Sequence, residues 1–236
     1  MTVYILKTQQ EDEDPFGTEC VFNTLMVGFP TAKIVVTENT DKVEHHEYVE
    51  AIVKSCAIDC PNEPIVFCDT DMIFYNNVEV YLEDIQQLYA GRLCPAYWNE
   101  VVGANECQRF HTSLLYIKSA RYLMDKVNKV YTRSNFPYSA FAPARYTLGG
   151  VQYFHDTCGN LFHLLSPLDR YIFTPQMLDM YAHLVSGTML NFVTSKMSNK
   201  HGLKHAHELA KKDPMSAHGN WREHNRYYAA HVPHLP

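Results

Sequence analysis

Apolar positions fall in short runs set off by polar, proline-containing stretches, and the spacing within them changes along the chain. Residues 2–6 form a continuous β-branched and apolar run that gives way to the acidic residues 11–14. Residues 34–37 form a second run, after Phe29-Pro30 and before Glu38-Asn39. Both have the length of buried strands that end in polar loops. From Asp41 the spacing shifts: Val43, Val49, Ile52, Val53 and Cys56 recur mostly at three and four, with Thr40 placed as N-cap. This predicts an amphipathic helix ending near Asp59, before Pro61. Pro64-Ile65-Val66-Phe67-Cys68 then reads as the central strand, with proline tolerated at its first position. Residues 114–117 predict another strand, 120–130 a helix, 161–165 and 171–173 short strands. Residues 176–194 predict a helix with Met177, Tyr181, Leu184, Val185, Phe192 and Val193 on one face.

Strand, helix and strand in that order imply parallel crossovers. The expectation is one domain over 1–236: an α/β, Rossmann-like fold whose mostly parallel sheet is flanked by helices. Ligands of such sheets gather beyond the carboxyl ends of the strands, so chemistry is expected just after Cys68.

Charge sharpens this picture. Residues 1–100 carry 5 Lys or Arg against 18 Asp or Glu, and residues 101–236 carry 15 against 8. A nucleotide-binding first half and an acceptor-facing second half with a basic, His-rich tail are expected. The seven cysteines form no C-x-x-C pair, which fits a reduced, cytoplasmic protein. The N-terminal segment reads as a strand and not as a signal peptide. Residues 171–195, the least charged later stretch, are interrupted by Pro175, Asp179, His183 and Asn191, too polar for a membrane span.

The candidate chemistry is Cys68-Asp69-Thr70-Asp71. Residues i and i+2 of a strand project to one side, so Asp69 and Asp71 can converge on one hard cation while Thr70 faces away. Asp12-Glu13-Asp14 repeats the triplet in a loop with no strand before it. Carboxylates leaving a buried strand must be paired, hydrogen-bonded or metal-bound.

In this context the chain resembles the GT-A glycosyltransferases, in particular the glycogenin-like retaining branch. Asp69-Thr70-Asp71 looks like their metal-binding D-x-D. Arg109-Phe110-His111-Thr112-Ser113-Leu114 is similar to the branch's F-N-S-G-V strand, with His111 and Ser113 in place of Asn and Gly. Leu148-Gly149-Gly150-Val151-Gln152-Tyr153 occupies the place of the D-Q segment, with Gln152 matching and the acid absent. Residues 163–173 resemble the following L-P-x-x-[YW]-N strand pair, and His218-Gly219-Asn220-Trp221 resembles the late His and Trp element.

The resemblance implies a nucleotide-sugar donor, UDP-linked in most D-x-D enzymes. It also implies Mn²⁺ or Mg²⁺ held by Asp69, Asp71 and His218, with His201 as rival third ligand. Asp69, Asp71 and Gln152 would be catalytic. Lys7, Thr8, Glu38 and Asn39 would lie beside the nucleoside, Gly149 and Gly150 beside the donor sugar, and Trp221 over the nucleotide. Lys204, Arg222 and Arg226 are candidates for diphosphate contact. The acceptor hydroxyl would belong to a saccharide or to a hydroxymethylated DNA base. Retention and inversion both remain open; inversion needs a general base, with His155, Asp156 and Asp169 as candidates.

Two other classes share features of this sequence. A haloacid-dehalogenase-like phosphatase also follows a strand with D-x-D, although it does so on its first strand. A non-catalytic nucleic-acid-binding module would use the basic second half. The chain has no G-x-S-x-G, P-loop or G-x-G-x-x-G. The glycosyltransferase reading predicts that Asp71→Ala, folded by circular dichroism, loses all Mn²⁺-dependent donor hydrolysis. Hydrolysis at the wild-type rate in the folded variant would exclude the metal role.

Overall fold

A computed structural model describes residues 1–7, 16–38, 43–70, 72–99, 102–134 and 139–183. The main sheet has six strands in the order β2-β1-β3-β8-β5-β11. They are β1 (Thr2–Lys7), β2 (Lys33–Glu38), β3 (Ile65–Cys68), β5 (Tyr89–Cys94), β8 (Arg109–Ile117) and β11 (Arg170–Ile172). β1 runs parallel to both β2 and β3, and β11 parallel to β5. β8 runs antiparallel to both its neighbours. The fold is therefore α/β as the alternating pattern predicts, with one reversed strand making the sheet mixed.

The apolar run in β3 explains its central place. Ile65 and Phe67 face one core and Val66 and Cys68 the other, as a strand buried on both sides requires. On the first side lie α2 (His45–Asp59), α4 (Ala120–Ser134) and α5 (Gly159–Leu164), which bring Val49, Val53, Leu123, Val127, Leu161 and Phe162 onto Phe67, Phe110 and Leu115. On the other lie α1 (Phe16–Gly28) and α6 (Pro175–Leu178), with Val21, Leu25 and Met177 against Val3, Ile5 and Tyr116. Phe67 is 2% exposed, a burial that contributes roughly 1.5–3 kcal/mol.

Two smaller sheets complete the architecture. β6 (Tyr97–Asn99), β7 (Ala104–Glu106), β10 (Val151–His155) and β9 (Ala144–Leu148) form a four-stranded sheet in that order. β4 (Met72–Phe74) pairs with β12 (Tyr181–His183), and a short helix, α3 (Glu79–Glu83), follows β4. Among the described residues no helix is long and apolar enough to cross a membrane.

Three sequence expectations are corrected. Residues 161–165 are not a strand: Gly159–Leu164 is helical, entered through Cys158 at φ 60 and joined to the loop before it by Asn160, whose amide donates to the carbonyls of Ser139 and Ala142. The helix expected over 176–194 stops at Leu178, and the chain then pairs with β4, so that Tyr181 serves a strand. Its remaining residues, 184–194, lie outside the described part. The helix expected from Asp41 begins at His45. Its N-cap is Glu44, whose backbone N–H donates to Glu47 Oε2 at 3.2 Å, and not Thr40.

Gly28 closes α1 against β4. A Cβ there would stand 2.5 Å from Phe74 Cγ and 2.9 Å from Phe74 Cβ, and Phe74 is itself in the core. Gly28→Ala is expected to destabilise the chain by about 1–3 kcal/mol through overpacking, read as a lower denaturant midpoint at unchanged m-value. An unchanged midpoint would show that this contact relaxes freely.

Candidate functional site

The carboxyl ends of β2, β1 and β3 lie at one edge of the sheet, because Lys7 pairs with Glu38 and Ile5 with Cys68. The chain leaves β1 for β2 on one side and returns for β3 on the other. The strand order thus reverses at β1, the position at which open α/β sheets bind ligands. Asp69 stands at this edge. Its backbone N–H donates to Ser113 O on β8 at 3.0 Å, which fixes where its side chain emerges.

Imidazoles approach both carboxylate oxygens. His45 Nε2, from the first turn of α2, lies 3.8 Å from Asp69 Oδ1, and His183 Nε2, from the end of β12, lies 3.9 Å from Oδ2. The His183 ring in turn meets His111 of β8 at 4.8 Å between centroids, tilted by 59°. Ser113 N–H donates to His111 Nδ1 at 3.1 Å, and Ser113 Oγ lies 2.9 Å from the same atom. Nδ1 is therefore an acceptor, and a neutral ring must carry its proton on Nε2. Burial first, then the Arg92 charge and the neighbouring His183 ring, hold this imidazole well below its usual pKa, so it is neutral at pH 7.

A bulge brings Arg92 to the same place. The register passes from Gly91 opposite Leu115 to Leu93 opposite Phe110, so two steps along β5 answer five along β8. The surplus on β8 spans His111 to Ser113, and Arg92 faces it from β5. Bulges re-aim side chains in this way at functional edges. Asp69 thus faces two imidazoles, behind which lie a third and a buried guanidinium. That arrangement favours an anionic ligand beside Asp69. Among the described residues no three His, Cys, Asp or Glu side chains gather closely enough to hold a metal. The donor types at Asp69, carboxylate oxygen and imidazole nitrogen, are nevertheless those Mn²⁺ accepts.

A second polar cluster joins the four-stranded sheet to the main one. Arg109 starts β8 and donates from Nε to Glu106 Oε1 at 3.0 Å and from Nη2 to Asp156 Oδ2 at 2.6 Å. Glu106 also receives Asn99 Nδ2 at 2.8 Å. Both Arg109 and Glu106 are buried. All three candidate bases are engaged in contacts of their own: Asp156 with Arg109, Asp169 with Lys126 Nζ at 2.5 Å, and His155 Nε2 with Tyr146 Oη at 3.1 Å.

The structure brings Glu38 to the same sheet edge as Asp69, with Lys7 Nζ 3.9 Å from its carboxylate. Gly149 and Gly150 form the two-residue turn between β9 and β10, at φ 59 and φ 80, and a Cβ on either would meet open space. Two consecutive positive φ angles are what such a hairpin demands, so the turn alone accounts for both glycines. Gln152 is exposed on β10, and its carbonyl accepts a long hydrogen bond, 3.4 Å, from Asn105. Thr8, Asn39, Asp71, His201, Lys204, His218, Trp221, Arg222 and Arg226 lie outside the described residues.

Sequence reasoning missed His45, His183 and Arg92. Arg92 had a usable signal, a single charge inside the apolar run of β5, since buried charge is rare without purpose. His183 was concealed by reading its segment as helix, and His45 by being one of two adjacent histidines at a helix start.

No protein-family model matches this chain, and no curated protein matches it. Solved structures give low-level likenesses. The galactosyltransferase LgtC, in complex with donor and acceptor sugar analogues, is 8% identical over 73% of each chain, with TM-score 0.39. The glycosyltransferase GlyE of Streptococcus pneumoniae TIGR4 is 10% identical over 74% of this chain and 45% of its own, with TM-score 0.39. A glycosyltransferase involved in glycosylation of the major capsid of PBCV-1 is 16% identical over 58% of this chain and 71% of its own, with TM-score 0.36. Likeness at this level leaves activity to be argued from the chain's own residues.

One titration can be checked directly. Burial first, and then His163, pushes His155 down from 6.5 to about 4. Between those values the unfolded chain binds the proton and the folded chain does not. Stability is therefore full above pH 6.5 and is lost as pH falls toward 4. In His155→Gln this acid loss should shrink by about 2–4 kcal/mol, measured as denaturant midpoints across the range. Parallel curves for the two proteins would show that His155 does not carry it.

Proposed function

We propose that the chain is a metal-dependent glycosyltransferase of GT-A type, moving a sugar from a nucleotide-sugar donor, a UDP-sugar by resemblance, to an acceptor hydroxyl of a glycan or a hydroxymethylated DNA base. The observation that carries the proposal is Asp69 at the strand-order reversal, with His45 and His183 3.8 and 3.9 Å from its two oxygens.

In this reading Asp69 and Asp71 hold Mn²⁺ or Mg²⁺. His45, His183, His201 and His218 are the imidazoles from which a further ligand is drawn. When bound, the ion supplies positive charge to the diphosphate as it leaves the sugar. The other roles belong to the chain. Arg92 adds a fixed positive charge behind the same site, and neutral His111 offers Nε2–H as a hydrogen-bond donor that does not need to ionise. Thr8, Glu38 and Asn39 lie in sequence at the ends of β1 and β2 and are assigned to the nucleoside, with Trp221 to cover it. Gly149, Gly150 and Gln152, on the four-stranded sheet, are assigned to the sugar side of the reaction.

The test is calorimetric titration of nucleotide sugars with and without MnCl₂, followed by donor hydrolysis. Wild type should bind at least one of them only with metal, and Asp69→Asn should abolish both binding and hydrolysis while remaining folded. His183→Ala should weaken metal-dependent binding about tenfold, as loss of a group near the ion does. Absence of metal-dependent binding throughout the panel, with Mg²⁺-dependent phosphate release from a generic phosphomonoester instead, would replace this reading by the phosphatase one.

A further inference from the structure

The four-stranded sheet carries a surface that the site at Asp69 does not use. Trp98 of β6 pairs with Asn105 of β7, Asn105 with Tyr153 of β10, and Tyr153 with Tyr146 of β9. Directly paired residues project to the same face, so these four side chains form one row across the sheet. Val151 and Leu148, paired beside the turn, continue that face outward. Trp98 is 55% exposed, Val151 42% and Leu148 67%, whereas Tyr146 and Tyr153 stack on each other at 5.4 Å and 15°. Indole, amide and two phenols follow one another, and the row contains no charged residue. Arg145 belongs to the opposite face, beside Phe154.

Trp98 and Tyr153 are two strands apart with Asn105 between them. Strands lie about 4.8 Å apart, so the two aromatic residues rise about 10 Å from each other. That spacing leaves room for a ring between the two aromatic residues, over the Asn105 amide, whose Nδ2 also donates to Gln152 O at 3.4 Å. A pyranose ring suits it. The C–H bonds on its apolar face are electropositive and pack against the negative face of an aromatic ring, while its rim hydroxyls need donors and acceptors such as the Asn105 amide and the Tyr153 phenol. Charge decides between a saccharide and the other ring-shaped candidate, a nucleobase within DNA. A nucleic acid brings phosphates that need Lys or Arg on the contacting face, and among the described residues of this face there is none.

We propose that this face binds the acceptor as a neutral oligosaccharide, with one sugar held between Trp98 and Tyr153 over Asn105 and the chain of sugars running along the aromatic row. The proposal rests on the glycosyltransferase reading for its role and on the strand register for its place. The row spans four strands, longer than one sugar ring, so an oligosaccharide should bind more tightly than its monosaccharide.

The test uses the full chain carrying Trp221→Phe, which leaves Trp98 as sole indole reporter. It is titrated with maltopentaose, cellopentaose and mannopentaose and, as polyanion, a single-stranded DNA oligonucleotide. A saturable fluorescence change with at least one oligosaccharide is expected. In the wild-type background Trp98→Ala should weaken that oligosaccharide about tenfold by calorimetry, and Asn105→Ala should do the same, with metal-dependent donor hydrolysis unchanged. Response to DNA alone, or to none of the probes, overturns the proposal. So does an indole shielded from acrylamide in the unliganded chain, since another part of the chain would then cover the face. Oligosaccharide binding without any donor hydrolysis in wild type would leave the face standing and remove the glycosyl-transfer reading instead.

Discussion

A strand buried on both faces cannot carry charge until it leaves the core. β3 is such a strand: Ile65, Val66, Phe67 and Cys68 are all buried, two to each side. The first residue beyond them is Asp69. The position of the site therefore follows from desolvation, because a carboxylate one or two residues earlier would cost several kcal/mol unless paired. The parallel neighbours β1 and β2 end at the same edge, and the reversal of strand order there opens the space above Asp69. Helices on the two faces then serve mainly to keep water from the strands on which this edge depends.

Around Asp69 the chain gathers contributions from distant segments. His45 comes from the start of a helix, Arg92 and His111 from adjacent antiparallel strands, and His183 from a strand that pairs with β4. None of these is close in sequence to Asp69. Hydrogen bonds to backbone hold the arrangement, with Asp69 N–H on Ser113 O and Ser113 N–H on His111 Nδ1. A single residue, Ser113, thus fixes both the carboxylate's exit from β3 and the tautomer of the histidine beside it.

The part of this that the sequence could reveal is the part set by local pattern. β1, β2, β3 and the helix ending at Asp59 follow from run length and period, and Asp69 from its position directly after an uninterrupted apolar run. What stayed hidden depends on pairing across the chain. Tyr181 fits a helical stripe as well as it fits a strand, and only β4 decides between them. Residues 161–165 are apolar enough for a strand, yet a left-handed Cys158 turns them into helix. The four-stranded sheet escaped notice because its strands are short and amphipathic, and only their register shows that Trp98, Asn105, Tyr153 and Tyr146 share a face. Gly149 and Gly150, placed by resemblance beside a donor sugar, are accounted for by the hairpin turn they form.

The bulge in β8 has a consequence for how this protein can change. The surplus on β8, His111 to Ser113, has no one-to-one partner on β5, although Ser113 O still receives the Asp69 N–H from the β3 side. It lies where His111 and Ser113 leave the ladder with β5. Shortening that segment would let β8 pair more regularly with β5 and would undo the placement of His111 beside Arg92. Strand length at this one place therefore couples the regularity of the sheet to the grouping of His111 with Arg92.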